Sequence, residues 1–133
     1  MAAQTRFAVR PLDSALADMT AAVGERHPWT LGIALNTAAT YHVMGRYQDA
    51  CAMSRETALA AAESLGERHP LTLLAQIGLV ADLRTIRGGL DEAAVIEEVA
   101  LGGLTAVLGP EHPETVAARN RTRPVWDFEP LPV

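Results

Sequence analysis

A five-residue hinge written three times constrains this chain more than any other feature. Gly24-Glu25-Arg26-His27-Pro28 recurs as Gly66-Glu67-Arg68-His69-Pro70 and returns, altered, as Gly109-Pro110-Glu111-His112-Pro113. The three histidines stand 42 and 43 residues apart. Self-similarity at such a period marks a repeat architecture, in which each unit buries its apolar face only against its neighbours. A second marker lies between the hinges: Gly45-Arg46-Tyr47-Gln48-Asp49-Ala50 corresponds to Gly88-Gly89-Leu90-Asp91-Glu92-Ala93. The extra residue of the longer period falls in that second turn, near Gly88. A turn tolerates an insertion, whereas one inside a packed helix would rotate its buried face.

Between the markers the pattern is helical. The 133 residues include 24 Ala and 16 Leu but only two each of Phe, Tyr and Trp. Ala and Leu favour helices, and the scarcity of aromatic and β-branched runs disfavours a sheet. Pro28 suits a first helical turn. Leu31, Ala34, Leu35, Ala38 and Tyr41 then share one face, and Gly45 closes the helix. A second helix runs from Tyr47 to Leu65, with Ala50, Met53, Ala58, Ala61 and Leu65 on its stripe. The next pair spans Pro70 to about Arg87 and Leu90 to Leu108. Gly102 and Gly103 weaken that last helix, each by about 1 kcal/mol relative to Ala. Ala50 and Ala93 are expected where two helices cross too closely for a larger side chain.

The ends fit the same frame. Leu12 to Val23 matches a second helix lacking its first, and Pro113 to about Arg121 a first helix lacking its second. The expected organisation is a helical repeat domain over 1–121, comprising a half repeat (12–23), two whole repeats (24–65 and 66–108) and a half repeat (109–121). An extended, Pro-rich tail follows over 122–133. The predicted fold class is all-α: a superhelix of six antiparallel helices, right-handed, with no strand. The missing first helix suggests truncation or a partner that supplies it.

Composition excludes several classes of function. No run of eighteen apolar residues occurs, so no membrane helix is expected, and Met1 to Arg10 lacks the apolar core of a signal peptide. The single cysteine, Cys51, excludes an internal disulfide, and the expected location is the cytoplasm. All 11 basic residues are Arg, the net charge is -5, and a nucleic-acid binder should be basic. Neither nucleic acid nor membrane is an expected partner. His27, His69 and His112 do not make a metal site, because equivalent positions in stacked repeats lie at least ~8–10 Å apart and a shared zinc needs ligands at ~2.0–2.1 Å. Cys51, beside the packing residue Ala50, reads as a buried structural thiol. Asp91, Glu92, Glu97 and Glu98 read as a solvated helix face, with Asp91 and Glu92 favourable at the helix start. No Ser-His-Asp arrangement, phosphate loop or Cys pair occurs. No catalytic residue, cofactor or metal is expected, and the chain does not read as an enzyme.

These residues resemble tetratricopeptide repeats, in particular the 42-residue kind found in kinesin light chains. The similarity lies in His27-Pro28-Trp29-Thr30-Leu31, Leu35-Asn36-Thr37-Ala38, Tyr41, Gly45-Arg46-Tyr47-Gln48-Asp49-Ala50 and Leu65-Gly66-Glu67-Arg68-His69-Pro70, and extends over Val23 to about Asn120. Two positions depart from the family pattern: Ser54 stands where an aromatic is usual, and Gly78 replaces the Asn seen at Asn36. The ending Asp127-Phe128-Glu129-Pro130 resembles those of some actinobacterial tetratricopeptide proteins, among them accessory proteins of a peptide-maturation system whose precursors end in Phe-x-Ser-x-x.

The resemblance implies a non-catalytic scaffold whose first helices line a concave groove that binds a protein or an extended peptide. Carried over by position, the groove comprises Leu35, Asn36, Ala39, His42 and Val43 in one repeat. In the next it comprises Ile77, Gly78, Ala81, Arg84 and Thr85, with Asn120 and Arg121 from the last half repeat. Asn36 would grip a ligand backbone, and Arg84 and Arg121 would engage the carboxylates of an acidic segment. The alternative is a self-assembly unit, a homodimer through its unpartnered terminal helices, which expose Leu12, Leu16 and Val23 at one end and Val116 and Asn120 near the other.

Overall fold

The computed structural model describes the backbone of residues 2–125 and the side chains of residues 13–125. The tail motif Asp127-Phe128-Glu129-Pro130 and the Leu12 side chain lie outside these. Six α-helices follow in order, with no strand among the described residues: α1 Ala2–Val23, α2 Pro28–Val43, α3 Tyr47–Leu65, α4 Pro70–Leu83, α5 Leu90–Leu108 and α6 Pro113–Arg119. The fold is thus the all-helical repeat solenoid that the doubled hinge predicts. Helix α1 begins ten residues before the expected Leu12 and runs through Pro11. A proline removes one backbone hydrogen bond from a helix, and here it does not end it.

The three hinges share one set of backbone bonds. Gly24, Gly66 and Gly109 take φ of +94°, +97° and +101°, a left-handed conformation open to residues without Cβ. Each donates its N–H to the carbonyl of the last helical turn: Thr20, Ala62 and Thr105. The following histidine is extended, and its ring Nδ1 accepts the N–H two residues on, from Trp29, Leu71 and Glu114, at 3.1 Å each. These imidazoles are helix N-caps, each satisfying a donor that the first turn leaves orphaned. Thr30 and Thr72 close the hinge by donating their hydroxyls to the Gly24 and Gly66 carbonyls, at 2.7 and 2.8 Å. The third copy differs, with Thr115 directed to the Leu104 carbonyl at 3.4 Å.

Packing proceeds helix against next helix, with a further contact between α2 and α4. Leu31 and Leu35 of α2 meet Ala58 and Ala61 of α3 and Leu71 and Ala75 of α4. One repeat later, Leu73 and Ile77 meet Ala100 and Leu104 of α5 and Ala118 of α6. Each large aliphatic so buried contributes roughly 1.5–3 kcal/mol. Ala50 and Ala93 are fully buried, as their place at the crossings requires. Gly103 has a packing use: a Cβ there would come within 2.8 Å of the Leu73 side chain, so glycine lets α5 close onto α4.

Helix α4 ends at Leu83, four residues before the expected end. The Thr85 N–H and hydroxyl both bond the Asp82 carbonyl, and the Ile86 N–H bonds that of Leu83, tightening the chain into a turn. The extra residue of the second repeat is absorbed here. Gly89 then passes so close to the Leu83 carbonyl that a Cβ would lie 2.1 Å from its oxygen.

Candidate functional site

Helix α2 packs on α4, and α6 meets α4 through Ala118 against Leu73 and Ile77; these three first helices are termed the inner layer. On its floor lies Asp82, the one charged residue of α4, with no solvent exposure. A buried carboxylate demands donors, and four reach this one. His42 of α2 approaches Oδ1 with its Nδ1 at 3.0 Å. The Ser54 hydroxyl of α3 donates to Oδ2. Arg123, beyond α6, closes a two-pronged ion pair, its Nη1 on Oδ1 and its Nη2 on Oδ2 at 2.9 Å. Nη2 also lies 3.3 Å from the Ser54 oxygen. Planar pairing of this kind is among the strongest charge-assisted contacts.

The path of the chain after α6 makes that pairing possible. The Thr122 N–H bonds the Ala117 carbonyl and the Arg121 N–H that of Ala118. This is the Schellman closure, normally built with glycine at its left-handed position. Here Arg121 occupies it, at φ +60°. The turn brings Arg123 back onto α4, and of the residues that follow Pro124 is buried and Val125 exposed. Gly78 lies under the guanidinium: a Cβ at Gly78 would touch Arg123 Nη2 at 3.7 Å. Both positions that depart from the family pattern, Ser54 and Gly78, therefore adjoin Arg123.

The residues read from sequence as the binding face separate into three groups. Leu35 and Ile77 are corrected to the core: they are 4% and 5% exposed and fill the seams between helices, because mid-helix positions of the inner layer are covered by both neighbours. Asn36, Ala39, His42 and Ala81 are half-buried, while Val43, Thr85 and Asn120 are exposed. Arg84 and Arg121 both engage Glu97 of α5, at 2.7 and 3.4 Å. Burial works to raise the Glu97 carboxyl, but the hydrogen bond and charge of Arg84, with Arg121, outweigh it and hold the group below its ordinary value. The two cations expected to meet a ligand's carboxylates thus already share one within the chain. Ile77, Ala81, Arg84 and Arg121 are brought together around a space of only about 10 Å³, alongside Thr122 and Arg123.

Sequence reasoning missed Asp82 and Arg123 as site residues and took Ser54 only as a departure. The signal existed: Asp82 is a lone charge inside an otherwise uncharged helix. The identity of its partner was not legible, since Arg123 lies 41 residues away in a segment read as tail.

Other candidates have structural roles. Cys51 packs against Leu79, Val80, Leu83 and Ala93. Burial pushes its thiol above the ordinary value, with Arg55 opposing, which disfavours the nucleophilic thiolate at neutral pH. Glu92 holds Arg55 in a two-pronged surface pair at 2.7 and 3.0 Å, joining α3 to α5. Among the described residues no cluster of three His, Cys, Asp or Glu side chains is placed to hold a metal ion, and no helix is long and apolar enough to cross a membrane.

Residues 30–71 match the family model of a tetratricopeptide repeat. That segment runs from the first turn of α2 through α3 and the second hinge to the start of α4, which is one helix pair with the hinge that follows it. No curated protein matches the chain. The matched stretch is bounded by the hinge that the chain carries three times, and tetratricopeptide repeats are a class of helical module that typically mediates protein–protein interaction.

Proposed function

We propose that this chain is a non-catalytic scaffold that binds a partner protein or peptide along the inner layer of α2, α4 and α6. The observation that carries the reading is the chain's own Arg123, which reaches back from beyond α6 to pair with Asp82 on the floor of this layer. A surface that accepts one side chain from beyond the helices has the polar groups to accept another. Asn36, Ala39 and His42 border the layer on one side, Ala81 and Asn120 on the other. A photoreactive amino acid placed at Ala39 or Ala81 should cross-link a partner in cells, and one at Leu59, exposed on α3, should not. Cross-links from Leu59 with none from the inner positions would move the binding surface to the outer layer.

A second reading has one observation in its favour. Val95 and Val99, one turn apart on α5, are 65% and 63% exposed and form an apolar pair on its surface. Self-association through α5 would cover them. Of the residues expected to mark the uncovered ends, Val23 and Asn120 are exposed and Leu16 and Val116 half-buried. Sedimentation at tens of micromolar distinguishes a dimer from a 14 kDa monomer, and Val95→Glu should dissolve any dimer formed this way.

A further inference from the structure

The Asp82 pocket is assembled from four separate parts of the chain. Two of its donors, His42 and Ser54, belong to the repeat framework and fix the carboxylate's orientation from α2 and α3. They leave the remaining side of the carboxylate facing the inner layer, where only a forked donor satisfies both oxygens at once. Gly78 supplies the room. Asn36 holds the equivalent position one repeat earlier; at Gly78 a Cβ alone would already be in van der Waals contact with Arg123 Nη2, at 3.7 Å. The pocket is therefore matched to a guanidinium in charge, in fork geometry and in space.

The residue now filling it is held imperfectly. Arg123 Nε is buried without a hydrogen-bond partner, and the turn that delivers Arg123 depends on a left-handed arginine, Arg121. Both features weaken the hold of residues 122–125 relative to a ligand free to choose its approach. We propose that the inner layer carries a guanidinium-binding site of Asp82, Ser54 and His42, filled within the chain by Arg123, and that the partner enters as an extended segment whose arginine displaces it. The proposal rests on the inner layer being the partner surface. It assigns that partner a basic anchor, not the acidic one that Arg84 and Arg121 suggest from sequence. The internal arginine then sets the threshold for binding, because any partner must compete with a ligand tethered at high effective concentration.

The test uses the full chain and acetyl-Thr-Arg-Pro-Val-amide, the sequence of residues 122–125, as probe. A second probe replaces its arginine with citrulline, which keeps the shape and loses the charge. Arg123→Ala empties the site and should bind the arginine probe at least about tenfold more tightly than the unaltered chain. The same variant should bind the citrulline probe at least about tenfold more weakly than the arginine probe. Arg123→Lys, which keeps a cation beside Asp82 and guards against loss of folding in Arg123→Ala, should show an intermediate gain, because one ammonium cannot occupy both oxygens. Adding Gly78→Leu to either variant should abolish the gain. Equal affinity for the two probes, or no gain in either variant, would overturn the guanidinium site. Cross-links from Ala39 and Ala81 in that case would leave the inner layer as the partner surface, whereas their absence beside a positive probe result would leave the pocket standing without it.

Discussion

The two whole repeats share a frame and differ on their inner face. Their hinges agree bond for bond: a left-handed glycine, a histidine N-cap at 3.1 Å, and a threonine hydroxyl closing onto the glycine carbonyl. Their crossings agree too, with Ala50 and Ala93 both buried. Inside this common frame, Asn36 and Thr40 of the first repeat are replaced in the second by Gly78 and Asp82. Thr40 turns its hydroxyl back onto the Asn36 carbonyl at 3.1 Å, a bond local to its own helix. Asp82 instead ties together α2, α3 and the segment after α6. Backbone physics repeats because every unit must solve the same capping and packing problem. The chemistry of the proposed site lies where the copies diverge.

That contrast sorts substitutions into those with equal effects in both repeats and those that strike only one. The largest expected effect belongs to the second class. Arg123→Ala leaves the fully buried Asp82 without its cation and should cost about 3–5 kcal/mol in thermal or denaturant unfolding, while Thr40→Ala, at the matching position, should cost well under that. Next come the crossings. Ala50→Leu and Ala93→Leu should each lower stability by ~1–3 kcal/mol through overpacking, and an unchanged melting curve in either would break the alignment of the repeats. His27→Ala and His69→Ala should each cost about 1 kcal/mol, the usual worth of a lost N-cap, with far-ultraviolet circular dichroism retained. Unequal losses would show that the frame is less uniform than its hydrogen bonds.

The smallest effect is a pH dependence from Glu97. Its carboxyl is held below the ordinary value of 4.5, so its contribution is complete above that pH and is lost as pH falls through the depressed folded-state value. Glu97→Gln should flatten this acid limb and cost about 1 kcal/mol or less at neutral pH. A full acid limb in the variant would assign it to other carboxylates.

The frame was legible in the sequence because its determinants are local. Gly, His and Pro act within a few residues of one another, and a period of 42 exposes them by repetition. The six helices and the alanine crossings followed from that phase. The end of α4 did not, since it depends on Thr85 capping Asp82 in the turn that absorbs the extra residue. Inner-face positions were only partly legible. Carrying the groove over by position named His42 and Arg84, which are half-buried, but placed Leu35 and Ile77 on the surface, because helical spacing does not say how many neighbours cover a face. Arg84 and Arg121 read as free cations since Glu97, their shared partner, lies on another helix. The Asp82 pocket joins residues 28, 40, 41 and 69 apart in the chain. No local pattern encodes such a meeting, although a lone buried charge and two small residues in unusual places were its traces.

The segment beyond α6 is fastened to the second repeat through Asp82 and Arg123. A double-mutant cycle on Asp82→Asn and Arg123→Gln, read by denaturant unfolding of the full chain, tests it most directly. A coupling of ~1.5–3 kcal/mol is expected between these positions, with none between Thr40→Ala and Arg123→Gln. Additive losses for Asp82 and Arg123, within about 0.3 kcal/mol, would contradict it.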